Sequence, residues 1–200
     1  MSAYSVSLLE NASDWRLPSR GRVAMWCLIG AESAIFTIFV VAYLFYIGKS
    51  STGPQAGDVL HTPIFYTVCL LSSSVTIHLA VRCIATEQEA SFGRWWFATI
   101  ILGGAFLFGT VREWIHLIYG EGLTISTNLF GTTYYSLVGL HALHVTMGLA
   151  ALTVVAVFYF SGRLRREHAD RLDILSMYWH FVDAVWVVVF TVVYVIGVSR

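Results

Sequence analysis

Six side chains in this sequence could move protons or bind a metal, and all lie in strongly apolar surroundings: Glu32, His78, His141, His144, His180 and Asp183. His180 and Asp183 are three residues apart in "SMYWHFVDAVWVVVFTVVYVIG", residues 176–197, a stretch otherwise dominated by Val, Trp, Tyr and Phe. His141 and His144 repeat that spacing in "GLHALHVTMG". A three-residue step places both members of each pair on one helix face. A separate group, Arg112, Glu113 and His116, lies in "GTVREWIHL". Imidazoles and carboxylates so placed could ligate a metal or haem, carry protons, or tie helices together by hydrogen bonds. HxxH on one helix argues against bis-histidine haem, which needs ligands on facing helices. No nucleophile constellation or phosphate loop accompanies the carboxylates. Ties between helices are therefore the favoured reading, ahead of a proton path, and no metal site is expected in this chain.

The elements that must position these groups follow from composition. The chain has 200 residues, 57% hydrophobic and 12% charged, with no net charge, and its mean hydropathy is +0.70. A soluble domain carries about a quarter charged residues, so the expected solvent is lipid. Zero net charge gives no footing for nucleic acid as a partner. Five apolar stretches, about 23–47, 63–85, 95–119, 131–160 and 172–198, each reach the ~20 residues that span a bilayer. They are too long and too uniform for barrel strands, so the expected fold is an all-α bundle of five transmembrane helices. Residues 22–200 read as one membrane domain after an N-terminal arm of 1–21. The opening "MSAYSVSLLE" has no basic residue and no long apolar run, so no cleaved signal is expected. Cys27, Cys69 and Cys83 lack CxxC spacing and read as buried free thiols.

Basic residues in short loops set orientation. Arg16, Arg20, Arg22, Arg82, Arg94, Arg163, Arg165, Arg166 and Arg171 fall on one side, against Lys49 and Arg200 on the other. This places the N-terminus in the cytoplasm and the C-terminus outside. On the last helix His180, Asp183, Val187, Thr191 and Tyr194 fall on one expected buried stripe, with Trp179 and Trp186 beside it. Gly139, Ala142, Gly148, Ala150 and Ala151 would allow close approach on the fourth helix. A lone charge at membrane depth costs roughly 2.5–3.5 kcal/mol, so Arg112 and Glu113 are expected to pair at the outer boundary. Glu32 is expected to stay uncharged or to hydrogen-bond a histidine such as His144 or His180, because desolvation disfavours a bare carboxylate. Arg163, Arg165 and Arg166 are expected first as a topology signal and second as contacts for anionic lipid headgroups.

"GLHALHVTMGL" followed by "YWHFVDAVWVVVFTVVYV" resembles the last two helices of subunit III of haem–copper terminal oxidases. The first span, "MWCLIGAESAIFTIFVVAYLFY", resembles the family helix with a membrane-buried glutamate, here Glu32, and "REWIHL" resembles a family helix end with an acidic residue beside an aromatic one. Five helices in place of seven resemble the shorter bacterial versions. The resemblance implies a multi-pass subunit of the bacterial inner membrane that binds no haem or copper itself. It implies packing against subunit I, which reduces oxygen to water and pumps protons, with subunit II and a small subunit IV as further partners. It also implies bound phospholipid, protection of subunit I from inactivation, and an oxygen route along the subunit. Cytochrome c and quinol both remain open as electron donors. The alternatives are an accessory protein of a nitric oxide reductase or a membrane b-type cytochrome.

Overall fold

The structure is a computed structural model that describes residues 19–50, 53–60, 62–86, 88–164 and 166–198; most of the 1–21 arm lies outside them. Five long helices follow in order: α1 Arg20–Tyr46, α2 Ile64–Ala85, α3 Glu89–Tyr119, α4 Leu129–Phe160 and α5 Ala169–Phe190. No strand occurs among the described residues. All five helices are long and apolar enough to cross a membrane. α3 starts six residues before the apolar stretch, at Glu89, and α5 starts three before it, at Ala169. At 31 residues α3 is roughly 46 Å long, well beyond a hydrocarbon core of ~30 Å. Its polar first turns therefore extend outside the region that hydropathy detects.

Local chemistry fixes the helix ends. Ser19 caps α1, accepting from the Arg22 N–H at 3.4 Å, and Asn128 caps α4, accepting from the Gly131 N–H at 2.8 Å. α4 ends in a left-handed turn at Gly162, φ +65°. There the N–H of Arg163 reaches back to the Phe158 carbonyl at 3.1 Å, closing a Schellman motif.

α4 and α5 form the centre of the bundle. α1 packs on both of them, α2 packs on α3 and α5, and α3 also touches α4. α5 continues into a π-helical segment, Thr191–Ile196, in which Gly197 N–H donates to the Val192 carbonyl five residues back, at 3.0 Å. The expected stripe on this helix divides. Asp183, Trp186 and Tyr194 are buried, whereas Val187 and Thr191 are exposed, because α4 and α2 cover a face about one residue away in register. The outward faces are apolar: Trp26, Ile38 and Phe45 on α1 and Phe65 and Val75 on α2 are each at least 60% exposed. That suits lipid or another membrane subunit. Cys27 is also exposed, and Cys69 and Cys83 are half-buried; all three are free thiols.

Candidate functional site

The membrane-depth groups separate into two clusters and a box. In the first cluster, α1 meets α4 through Glu32 Oε2 and His144 Nε2, 3.2 Å apart. His144 Nδ1 lies 2.8 Å from the Leu140 carbonyl. A carbonyl only accepts, so Nδ1 carries a proton, and one further proton must lie between Nε2 and the carboxyl. Phe36 covers the imidazole, ring centroids 5.0 Å apart, and the Tyr178 hydroxyl donates to the His144 carbonyl at 3.1 Å.

The second cluster ties α5 to α2. Ser74 Oγ lies 3.0 Å from His180 Nδ1, and its hydroxyl donates to the Asp183 carboxylate. A hydroxyl has one proton, so His180 Nδ1–H donates to Ser74, which donates to Asp183. One turn to either side, Trp179 Nε1–H donates to Ser73 Oγ at 2.8 Å and Trp186 Nε1–H donates to Thr67 Oγ1 at 3.2 Å. Thr67, Ser73 and Ser74 were not among the sequence candidates. The signal was present as "SSS", 72–74, inside an apolar span with Thr67 two turns earlier on the same face.

His141 sits between the clusters in an aromatic box. It is fully buried, stacked on Trp186 at 4.9 Å, with the edges of Phe106 and Phe36 at 5.7 and 6.4 Å. Neither ring nitrogen has a hydrogen-bond partner among the described residues. His78 departs from the expected buried network: it is exposed on α2, one turn along from Ser74 on the bundle's outer surface. Arg112 and Glu113 form no ion pair. Adjacent helix residues point about 100° apart. Arg112 therefore faces outward, whereas Glu113 turns inward and accepts from the Tyr194 hydroxyl, 3.0 Å from each carboxylate oxygen. At the other end Arg163, His168 and Arg171 line a cavity of about 270 Å³ with Phe158 and Leu172. Asp173 and Asp170 nearby face Arg22 instead, at 2.9 and 3.8 Å. Arg165 and the side chain of Arg166 lie outside the described residues.

The two ties, the intervening aromatic box and the α1–α4–α5 packing all fall within residues 26–198, which match the family model for cytochrome c oxidase subunit III. The chain belongs to that family. It is 33% identical to cytochrome c oxidase subunit 3 of Alkalihalophilus pseudofirmus over 88% of this chain and 87% of the relative. It is 32% identical to cytochrome bo(3) ubiquinol oxidase subunit 3 of Pseudomonas aeruginosa, over 86% and 83%. It is also 36% identical to cytochrome c oxidase subunit 3 of Synechocystis, over 83% and 71%. These names favour a haem–copper oxidase over a nitric oxide reductase. As a subunit III, the chain is a multi-pass protein of the bacterial inner membrane and one component of a terminal oxidase. Subunit III names with cytochrome c and with ubiquinol both occur among its relatives.

Proposed function

We propose that this chain is the non-redox subunit III of its oxidase. In this reading it packs against the oxygen-reducing subunit I, beside subunit II and a small subunit IV, and haem and copper reside in those partners. The observation that carries the reading is the use of the buried polar groups. Glu32, His144, Ser74, His180 and Asp183 are all engaged with one another across this chain's own helices. They tie the helices of this chain to one another.

A tagged chain isolated in mild detergent is expected to bring with it a haem-containing catalytic subunit. The same chain expressed alone is expected to show no Soret band. A Soret band that follows this polypeptide by itself would overturn the assignment.

Phospholipid is proposed to sit at the cavity of Arg163, His168 and Arg171, where arginines meet an apolar wall at helix ends. Arg22 occupies the neighbouring carboxylates, so a headgroup phosphate is the fitting counter-charge. Replacing Arg163 and Arg171 together by Gln should lower the phospholipid that stays with the purified complex; unchanged phosphorus content would remove lipid from this site.

The same loop is proposed to be cytoplasmic, on the basic-residue asymmetry. A cysteine introduced between Arg163 and Arg171 should resist membrane-impermeant thiol reagents in intact cells. Labelling from outside would reverse the topology.

A further inference from the structure

The outer third of the bundle holds a carboxylate and two phenols that the subunit reading does not use. Tyr194, in the π-helical end of α5, is 3% exposed, and its hydroxyl lies 3.0 Å from both oxygens of Glu113 on α3. The hydroxyl of Tyr134 on α4, a residue with no exposed surface, is 3.4 Å from that of Tyr194. A phenol bonded to a carboxylate has a proton acceptor already in place.

The π turn is what aligns this group. With about one extra residue per turn, Tyr194 stays over Phe190, ring centroids 5.6 Å apart, and 6.3 Å from Trp186. Outward from Tyr134 the rings continue to Tyr135 at 5.2 Å and from there to Trp114 at 5.6 Å. Both are half-buried beneath the outer loop, where the Tyr135 hydroxyl donates to the Leu123 carbonyl at 2.8 Å. Trp186, Tyr194, Tyr134, Tyr135 and Trp114 thus form a file of oxidisable side chains from the core to the outer boundary. The carboxylate of Glu113 stands at its middle.

We propose that Tyr194, paired with Glu113, is a redox-active tyrosine that receives stray one-electron oxidising equivalents from the oxygen-reducing partner and passes them outward. The proposal rests on the reading of the chain as an oxidase subunit, since oxygen reduction supplies the oxidant at the peroxide level. Trp186 gives one electron to that oxidant, and two such passages, with two protons from the solvent, carry a peroxide to two waters. Its N–H is bonded only to the Thr67 hydroxyl, a poor base, so a radical cation forms. Tyr194 returns an electron to Trp186 and its phenolic proton moves to Glu113, leaving a neutral phenoxyl radical and a carboxylic acid. Tyr134 exchanges a hydrogen atom with that radical across the hydroxyl contact. A thiolate on the outer side supplies one electron through Trp114 and Tyr135 and becomes a thiyl radical. Glu113 then returns its proton to Tyr194, which hands its own to the reduced Tyr134 across the hydroxyl contact, and two thiyl radicals couple to a disulfide.

The test uses the complete purified oxidase, oxidised and then mixed with hydrogen peroxide, with freeze-quenched samples read by electron paramagnetic resonance. A tyrosyl signal is expected in the native complex, falling to the no-peroxide level in Tyr194→Phe. In Glu113→Gln the amide cannot take the proton, so a tryptophanyl signal should replace it. Incorporating 3-fluorotyrosine at position 194 leaves the fold intact and should add fluorine splitting to the signal. No splitting, or equal radical yield in all three complexes, overturns the relay. That outcome leaves the subunit assignment standing, because failure of the assignment would show instead as a chain that does not purify with haem.

Discussion

Replacing Gly148 by leucine should detach this subunit from its oxidase during purification. Trp179 has no exposed surface and lies where three helices converge. A Cβ at Gly148 on α4 would stand 2.8 Å from the indole, and one at Gly103 on α3 would stand 2.9 Å from its far edge. From α5 the same indole donates to Ser73 on α2. The ring is thus clamped between two glycines and fixed by one hydrogen bond, so neither steric relief nor rotation is available to it. Overpacking a filled core costs about 1–3 kcal/mol, and a branched side chain aimed into an indole belongs at the upper end. Trp179→Ala errs in the opposite direction: it opens a cavity and removes the donor to Ser73, whose hydroxyl keeps its bond to the Leu70 carbonyl, at a cost of about 3–5 kcal/mol. The two sites are in contact, so their effects should not add. Trp179→Phe combined with Gly148→Ala should be milder than the sum of the single changes. Subunit content after detergent exchange, with the melting temperature of the complex, measures all five variants. Normal retention of Gly148→Leu would show that the indole can move aside and that the clamp is not structural.

Much of the architecture was legible because the solvent imposes it. Spans of twenty or more apolar residues must be helices in lipid, and the short loops fix how they alternate. Rotation of each helix about its axis was not legible in the same way. His144 and His180 were equal candidates for Glu32, and only packing decides: α1 lies on α4 at His144, while the His180 face of α5 turns to α2. His78 lies one turn along α2 from Ser74 on the same face but is exposed there, beyond the contact that buries Asp183. The serine run was undervalued because hydroxyls in a span can satisfy themselves on their own backbone. Ser33 and Thr37 do so, donating to carbonyls four residues back at 2.6 and 2.7 Å. Tyr194 was legible as a buried position on the last helix, but its partner was not: its hydroxyl takes Glu113, the carboxylate expected to pair with Arg112.

Glu32→Ala should loosen α1 from the rest of the bundle, whereas Glu32→Gln should leave assembly, oxygen reduction and proton pumping nearly unchanged. Among the long helices α1 packs chiefly on α4 and α5. Its polar ties are Arg22 to Asp173 at the end that we place in the cytoplasm and Glu32 to His144 deeper in the membrane. His144 Nδ1 is committed to the Leu140 carbonyl, so a neutral His144 offers Nε2 as an acceptor. The glutamine amide can donate to it in the geometry the carboxyl now holds. Alanine leaves that nitrogen, on a side chain only 5% exposed, without a partner. An unsatisfied buried polar group costs about 1–3 kcal/mol, and the lower half of that range applies because Glu32 is partly open at 22% exposure. A loss of that size acts on a helix with few other anchors, so it should appear as lower subunit retention in Glu32→Ala. A proton path through Glu32 predicts the reverse order of severity for pumping: glutamine cannot release and rebind a proton, however well it packs. Proton ejection per oxygen reduced, measured on reconstituted Glu32→Gln complex with full subunit content, separates the two. Pumping lost in an intact complex would make Glu32 a proton carrier. Pumping retained in Glu32→Gln, beside weakened retention in Glu32→Ala, identifies the carboxyl as the hydrogen-bonding partner that keeps α1 against His144.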